Sequence, residues 1–447
     1  MLNIKIIYFV LTLFAHSVLP LCIYTDEADA ATRFADLDRF PQSADAYLPM
    51  EPDELISSFS NQQIYSEEYL RNYFAPWQND DLSYLDLSFE KIMNFQKITA
   101  GKQYYTADGK VFPRASLSKI ASNGIIDPNA TPRSGIVVSL ADVRVLPTST
   151  PLYSSLSFAK GQNGRLKLDV LQVSTIKPGE PLAIFCSSVD SDWLFVATGA
   201  VVGWIRAKNA ALMDDDLKDT YMYSPHSVII RDNLQITDQN NKILCRIKLG
   251  AVLPRDGGDL LLPERGKSGM AVLRRYTPAD GAAASFPVPF TPRAAAAVMD
   301  QLMGEQYGWG GMNGFRDCSS MTRDYFSVFG VWLPRNSGDQ AKTGAVIPLS
   351  NTPSEGRPGV IVSNAVPYAT LIHMPGHIML YIGLYDGVPV VFHNTWGVRT
   401  NSGRAVVGRA VVSGLRLGEE LPNRPANSLL IDRIDSLVFP IANIRIK

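Results

Sequence analysis

Cys318 is the residue of this chain whose neighbours best suit nucleophilic chemistry. Tyr307-Gly-Trp-Gly-Gly311 leads to it through Arg316-Asp317, and Ser319-Ser320 follow. Behind it, Met321, Tyr325, Val328 and Phe329 fall on one helical face, and Gly330 closes the pattern. The spacing therefore puts Cys318 in the first turn of a buried helix. Free N–H groups and the helix dipole at that position stabilise a thiolate and predict a lowered thiol pKa. A nucleophile for covalent catalysis needs that placement. A buried structural cysteine is the ordinary alternative. The glycine-rich approach and the polar neighbours favour the nucleophile.

A thiol nucleophile needs a base. The chain has five histidines, at 16, 226, 373, 377 and 393. His377 opens a strand, His-Ile-Met-Leu-Tyr-Ile-Gly383, and His393 ends the next, Val388-Pro-Val-Val-Phe-His393, after an Asp386-Gly387 turn. A base on one strand with its orienting partner on the neighbour is a cysteine–base–third-group arrangement. One difficulty stands. A strict two-residue turn pairs position 393 with 380, three residues from 377, an offset of about 10 Å at the strand rise. A longer loop or a bulge must shift the register. His373 precedes Pro375-Gly376 and is expected in a loop, away from the chemistry.

Composition bounds what these residues serve. The 447 residues carry 42 Lys+Arg against 43 Asp+Glu, a net charge of -1 that excludes a phosphate-neutralising nucleic-acid binder. Hydrophobic residues make up 46% and charged residues 19%, so packed cores are expected rather than disorder. Cysteines 22, 186, 245 and 318 are too scattered for a zinc set or a disulfide scaffold. No metal or cofactor is expected. Cys186 and Cys245 read as small core residues. Lys5, the apolar run Ile6–Ala15 and Ala28-Asp29-Ala30 make residues 1–30 a secretory signal peptide. The alternatives are a lipid anchor on Cys22 and an uncleaved membrane anchor. No later segment is long enough to span a bilayer.

The rest divides by pattern. Residues 31–130 read as mostly helical, with one helix from Asp53 and another over Ser66–Trp77 that Pro76 stops. Residues 131–215 hold short strands with Ser191-Asp-Trp193 and Gly203-Trp-Ile205, and resemble a bacterial SH3 domain. Residues 216–277 read as a second, weaker SH3-like barrel. Residues 277–292 form a Pro/Ala-rich linker. The catalytic domain, 278–447, then opens with a helix capped by Thr291, with Pro292 first and Ala295, Val298, Met299 and Leu302 on one face.

Tyr307-x-Trp309-Gly-Gly, Asp317-Cys318-Ser319, Leu333-Pro-Arg335-x-Ser337-x-x-Gln340, His377-x-Met-x-Tyr-x-Gly383 and Phe392-His393 together resemble the NlpC/P60 cysteine peptidases. The resemblance covers about residues 292–447. Its order of domains is similar to a subgroup with a helical N-terminal region and tandem bacterial SH3 domains. It implies an α+β, papain-like fold and a γ-D-glutamyl-L-diamino-acid endopeptidase acting on murein stem peptides with a free N-terminal L-Ala. It further implies that Cys318 attacks, His377 is the base and His393 orients it. Trp309, Asp317, Ser319 and Ser337 would line the peptide cleft, with Asp317 meeting the L-Ala ammonium. The first SH3 domain would close one end of that cleft. Asp142, Arg144 or Tyr153 are its candidate contacts, because Val201-Val202 stand where relatives carry a tyrosine. The expected setting is the periplasm or cell envelope, with a murein peptide as the partner. Two other classes compete: a wall-binding protein with a dead last domain, and a papain-like acyltransferase.

Overall fold

Thr291 and Pro292 open the last domain as their chemistry requires. The Thr291 side chain accepts from the Ala294 N–H, and the helix Pro292–Leu302 buries Ala295, Val298, Met299 and Leu302. A second helix, Cys318–Val328, buries Met321, Tyr325 and Val328 on the expected face. Both belong to a computed structural model that describes residues 33–78, 102–127, 130–237 and 243–441. The expected signal peptide, with Cys22, lies outside the described residues. From Phe34 onward the chain clusters as one compact unit. Among the described residues no helix is long and apolar enough to cross a membrane.

The last domain is helices on one antiparallel sheet. Six strands lie in the spatial order Ala345–Pro348, Ser436–Phe439, Leu371–Met374, His377–Tyr385, Val388–Arg399 and Arg404–Gly414. Asp386 and Gly387 both take positive φ at the tip of the central hairpin, which suits the tight turn between Tyr385 and Val388. Ahead of it, residues 133–212 form a seven-stranded antiparallel sheet. Residues 226–285 form a five-stranded sheet with a separate hairpin.

Three local expectations need correction. Residues 53–58 are turns, and the helix starts at Phe59. It passes through Pro76 and reaches Gln78. Pro76 is buried within it, and packing there outweighs the lost backbone bond. The expected linker contains a strand: Ala283–Ser285 pairs with His226–Ile229 and completes the second sheet. The 31–130 region does not gather around a core of its own among its described residues. Phe40 and Tyr47 pack with the last domain, and Tyr69 and Tyr73 share its core with the second sheet. Tyr104, Leu117 and Ile126 pack with Trp193 and Trp204 of the first sheet.

Buried charge ties these parts together. Arg316, 3% exposed, reaches Glu305 and Asp324 of the last domain and Asp232 of the second sheet. Lys248 joins Asp232 and Glu305, and Lys177 of the first β-domain joins Asp324. Three carboxylates thus meet three cations. Removing one member leaves its partners uncompensated in a low-dielectric interior, which costs about 3–5 kcal/mol. Arg316→Met is therefore expected to lower the denaturant-unfolding free energy by about that amount. A loss under about 1 kcal/mol, as for a surface pair, would show that the network is hydrated.

Candidate active site

The base pair is assembled by a register shift. From the turn, Tyr385 pairs with Val388 and Gly383 with Val390. A bulge at Ile382 then puts Tyr381 opposite Val391 and Leu380 opposite Phe392. Continuing one step sets His393 opposite Met379. Without the bulge it would face 380, on the other side of the sheet from 377, because a one-residue slip inverts every side chain. With it, His377 and His393 share a face, two residues apart diagonally. His377 Nε2 lies 2.8 Å from His393 Nδ1.

The relay continues one strand further. His393 Nε2 lies 3.0 Å from Ser413 Oγ, and Ser413 Oγ donates to the Gly414 carbonyl at 2.9 Å. A carbonyl can only accept, so this end sets the direction of every bond. Ser413 spends its proton on Gly414 and accepts from His393 Nε2–H. His393 Nδ1 then accepts from His377 Nε2–H. The lone pair left on His377 is at Nδ1, the atom free to act as a base. His393 and Ser413 are fully buried, so neither can exchange this role with water.

Cys318 is the first residue of its helix and 6% exposed. The backbone amides of Ile378, next to His377, and of Ser319 favour the charged form of its sulfur. Burial nevertheless pushes the thiol up to about 12, and the Asp317 carboxylate adds to this. The expected lowering by the helix terminus is thus outweighed by desolvation. Burial likewise pushes His377 down to about 3, with Arg433, His373 and Arg404 adding to it. Burial also holds His393 well below its ordinary value, with His377 contributing. Thiol and imidazoles are neutral at rest. Burial thus opposes a preformed thiolate–imidazolium pair.

Asp317 caps the helix and is already heavily bonded. Its Oδ1 accepts from Ser320 N at 2.9 Å and its Oδ2 from Gly310 N at 3.1 Å. Arg335 grips both oxygens, at 3.1 and 2.8 Å. Arg335 also donates to Ser319 Oγ at 3.0 Å and to Ser174 of the first β-domain at 2.7 Å. An incoming ammonium would share Asp317 with Arg335. Ser319 is buried in the same network. Gln340 braces the turn from below, donating to Ser319 O and Pro334 O at 2.8 Å each. Ser337 opens a short helix ending at Gln340 and is half-buried.

A cavity of about 340 Å³ opens beside His377. Tyr307 and Trp309 line it; Asp317, Ser319 and Ser337 do not. The first β-domain supplies one wall through Phe158, Arg165, Leu166 and Leu168. Trp396 Nε1 donates to the Gly164 carbonyl at 2.7 Å across that junction. A Cβ at Gly164 would run into the Arg404 carbonyl, so only glycine allows this approach. Asp142, Arg144 and Tyr153 do not reach the cavity. Arg144 is buried on Asp169 and Gln172 at 2.6 and 2.8 Å, and Asp142 accepts from Gln172 at 2.9 Å. His373 is in a strand rather than a loop, 2.7 Å from Asp435 through Nδ1. It takes no part in the relay.

Ser413, Arg335 and the cavity arginines escaped the sequence reading. Ser413 sits in ordinary strand text. Arg335 stood inside a recognised motif, and its planar fork was the available signal.

A thiol at a helix start, backed by an imidazole relay on an antiparallel sheet, defines a papain-like cysteine–histidine fold. Residues 304–405 match the NlpC/P60 family, residues 11–128 the N-terminal stabilising domain of NlpC/P60 proteins, and residues 156–206 an SH3 domain of the SH3b1 type. The last domain is thus the part of the chain that matches the NlpC/P60 family itself. An NlpC/P60 endopeptidase from Photobacterium damselae subsp. piscicida has the same fold, with a TM-score of 0.78 at 23% identity, over 91% of this chain and 98% of that one. The gamma-D-glutamyl-L-lysine dipeptidyl-peptidase of Bacillus subtilis is 44% identical over 51 residues, which is 11% of this chain and 17% of that enzyme. The aligned stretch thus spans about a sixth of that relative.

Two outcomes are expected here. Ser413→Ala removes the acceptor that sets the relay and strands a buried N–H, at a cost of about 1–3 kcal/mol. Hydrolysis should fall by about tenfold in kcat with little change in KM, since kinetics separate orientation from binding. The depressed His377 value also has a pH signature. The neutral base persists below 6.5, so kcat/KM should stay level down to about pH 5. Stability due to the buried neutral ring is present above the unfolded value of about 6.5 and is lost as pH falls. Melting temperature should therefore drop across pH 6.5 to 4.5 before activity titrates. An acid limb in kcat/KM at 6.5 would contradict the buried ring.

Proposed function

We propose that this chain is an exported cysteine endopeptidase of the cell envelope. It hydrolyses the γ-D-glutamyl–diamino-acid bond of murein stem peptides, preferring those with a free N-terminal L-Ala. The observation that carries the reading is the relay from His377 through His393 and Ser413, which ends on a carbonyl and leaves a basic nitrogen on His377, whose chain neighbour Ile378 lies against Cys318 at a helix start. Export rests on the leader-like first thirty residues.

Cys318 Sγ attacks the γ-carbonyl carbon of D-Glu while His377 Nδ1 takes the thiol proton. The carbonyl oxygen becomes an oxyanion at the helix start. The Asp317 cap occupies the Ser320 N–H, so the amides of Cys318 and Ser319 are not consumed by it. His377 returns its proton to the amine of the diamino acid, the C–N bond breaks, and a thioester remains. A water deprotonated by His377 then attacks the thioester and releases the carboxylate and the thiol. His393 holds the imidazolium through its neutral Nδ1.

On the Asp317 side, Ser174, Gln172 and Thr175 of the first β-domain bond Arg335, Gly310 and Gly311, which supports a cleft closed at the L-Ala end and hence a preference for short, free peptides. Trp309, 36% exposed at the cavity, is the proposed platform for the peptide backbone. Asp317, Ser319 and Ser337 remain proposed neighbours of the N-terminal half.

Purified protein should cleave L-Ala-γ-D-Glu-diamino-acid peptides, read by product mass, and Cys318→Ala should abolish it while keeping the melting temperature. His377→Ala should cost about 10²–10⁴-fold, the usual share of a general base. The same stems attached to glycan should be cut far more slowly. Wild-type turnover by Cys318→Ala would sink the assignment, and equal kcat/KM for free and glycan-linked stems would remove the closed end.

A further inference from the structure

The cavity beside His377 is cationic. Arg165, Arg399, Arg404 and Arg433 line it, and no aspartate or glutamate does. Among the described residues, none of the four forms an ion pair with a carboxylate. Arg404 donates to the Gly397 carbonyl at 2.9 Å and Arg433 to the Pro375 carbonyl at 3.2 Å, which aims both guanidinium groups while leaving most of their donors unspent. Arg165 comes from the first β-domain, so the cluster exists only where that domain meets the catalytic sheet. Like charges held this close repel: Arg404 is depressed by burial and by Arg433 and Arg399. A protein that gathers four unpaired arginines at one concave site gains from an anion there.

The proposed reaction says which half of the substrate reaches this site. His377 must protonate the leaving amine, and His377 lines the cavity while Cys318, Asp317 and Ser319 do not. The diamino acid therefore enters the arginine-lined side. We propose that Arg399, Arg404 and Arg433, with Arg165 across the junction, form a carboxylate-reading subsite that selects a diamino-dicarboxylic acid over lysine at the leaving position. This rests on the peptidase reading of the same site. A diaminopimelate side chain ends in a carboxylate beside its ammonium, and the guanidinium forks can bind that carboxylate in pairs. A lysine side chain brings only an ammonium, which meets four cations and nothing of opposite sign. Amidating the side-chain carboxylate removes the same contact without changing size.

Binding tests the subsite apart from turnover. Calorimetry on full-length Cys318→Ala should use L-Ala-γ-D-Glu-diaminopimelate, its side-chain amide and the L-Lys peptide. The diaminopimelate peptide should bind at least about tenfold tighter than the other two, and its advantage should shrink as salt is raised. Adding Arg433→Gln or Arg404→Gln should weaken the diaminopimelate peptide and leave the lysine peptide unchanged or improved. Arg165→Gln, on an exposed loop, should do the same more mildly and guards against misfolding of the others. Equal or undetectable binding of the three peptides overturns the subsite. Selective binding without cleavage by the wild-type enzyme leaves the subsite standing and rejects the peptidase reading instead.

Discussion

The fully buried guanidinium of Arg316 is the point on which the arrangement depends. It stands two residues before the nucleophile and holds carboxylates from the catalytic helix, the preceding loop and the second sheet. Lys177 and Lys248 complete the charge balance from the two β-domains. On the other side of Cys318, Arg335 clamps Asp317 and reaches Ser174. The start of the catalytic helix is therefore pinned by a buried network that Asp232, Lys177, Lys248 and Ser174 extend into the two β-domains. Such pairs do not add much net stability, because desolvation offsets their attraction. Their directionality specifies one docking geometry. Loss of that geometry would leave charges stranded in a core.

The N-terminal region serves the same end by a different means. Its described helices and loops act as straps. Tyr368 Oη donates to the Tyr47 carbonyl at 2.6 Å, and Tyr73 Oη donates to Gly179 and Val252 at 2.8 and 3.0 Å. The first of these bonds holds the strap to the catalytic domain, and the other two bridge the β-domains. A segment that distributes its aromatic residues among three neighbours has little apolar surface left for a core of its own. That is the physical content of a stabilising domain.

The catalytic cysteine, both histidines and the papain-like sheet were legible because each leaves a local trace: a helix face behind Cys318, a strand opening at His377, a turn at Asp386-Gly387. The same local reading exposed the register conflict between 377 and 393. The bulge that resolves it left only one trace, Gly383 inside the strand, which takes a positive φ just after Ile382. Ser413 was illegible. It lies two strands from the base and its role comes only from the diagonal alignment of three strands. The thiol's charge state went the other way. Position at a helix start is visible in sequence, but burial and the charge of Asp317 are sums over a whole fold, and here they outweigh the dipole. Expecting Pro76 to stop a helix failed because its burial among packed neighbours outweighs the lost backbone bond.

The bulge at Ile382 has a consequence for how this hairpin can vary. Sidedness on a strand is a binary property. Beyond the bulge, His393 shares a face with His377 because the count of residues between them has the right parity. Adding or deleting a single residue between Ile382 and His393 would reverse that parity and turn the imidazole of His393 to the opposite layer. A change of two residues would keep the side and only slide the rings along the strand. A second bulge would cancel a single insertion. Length variation in this loop is thus constrained in steps, like a reading frame, although nothing at the tip of the turn touches the site.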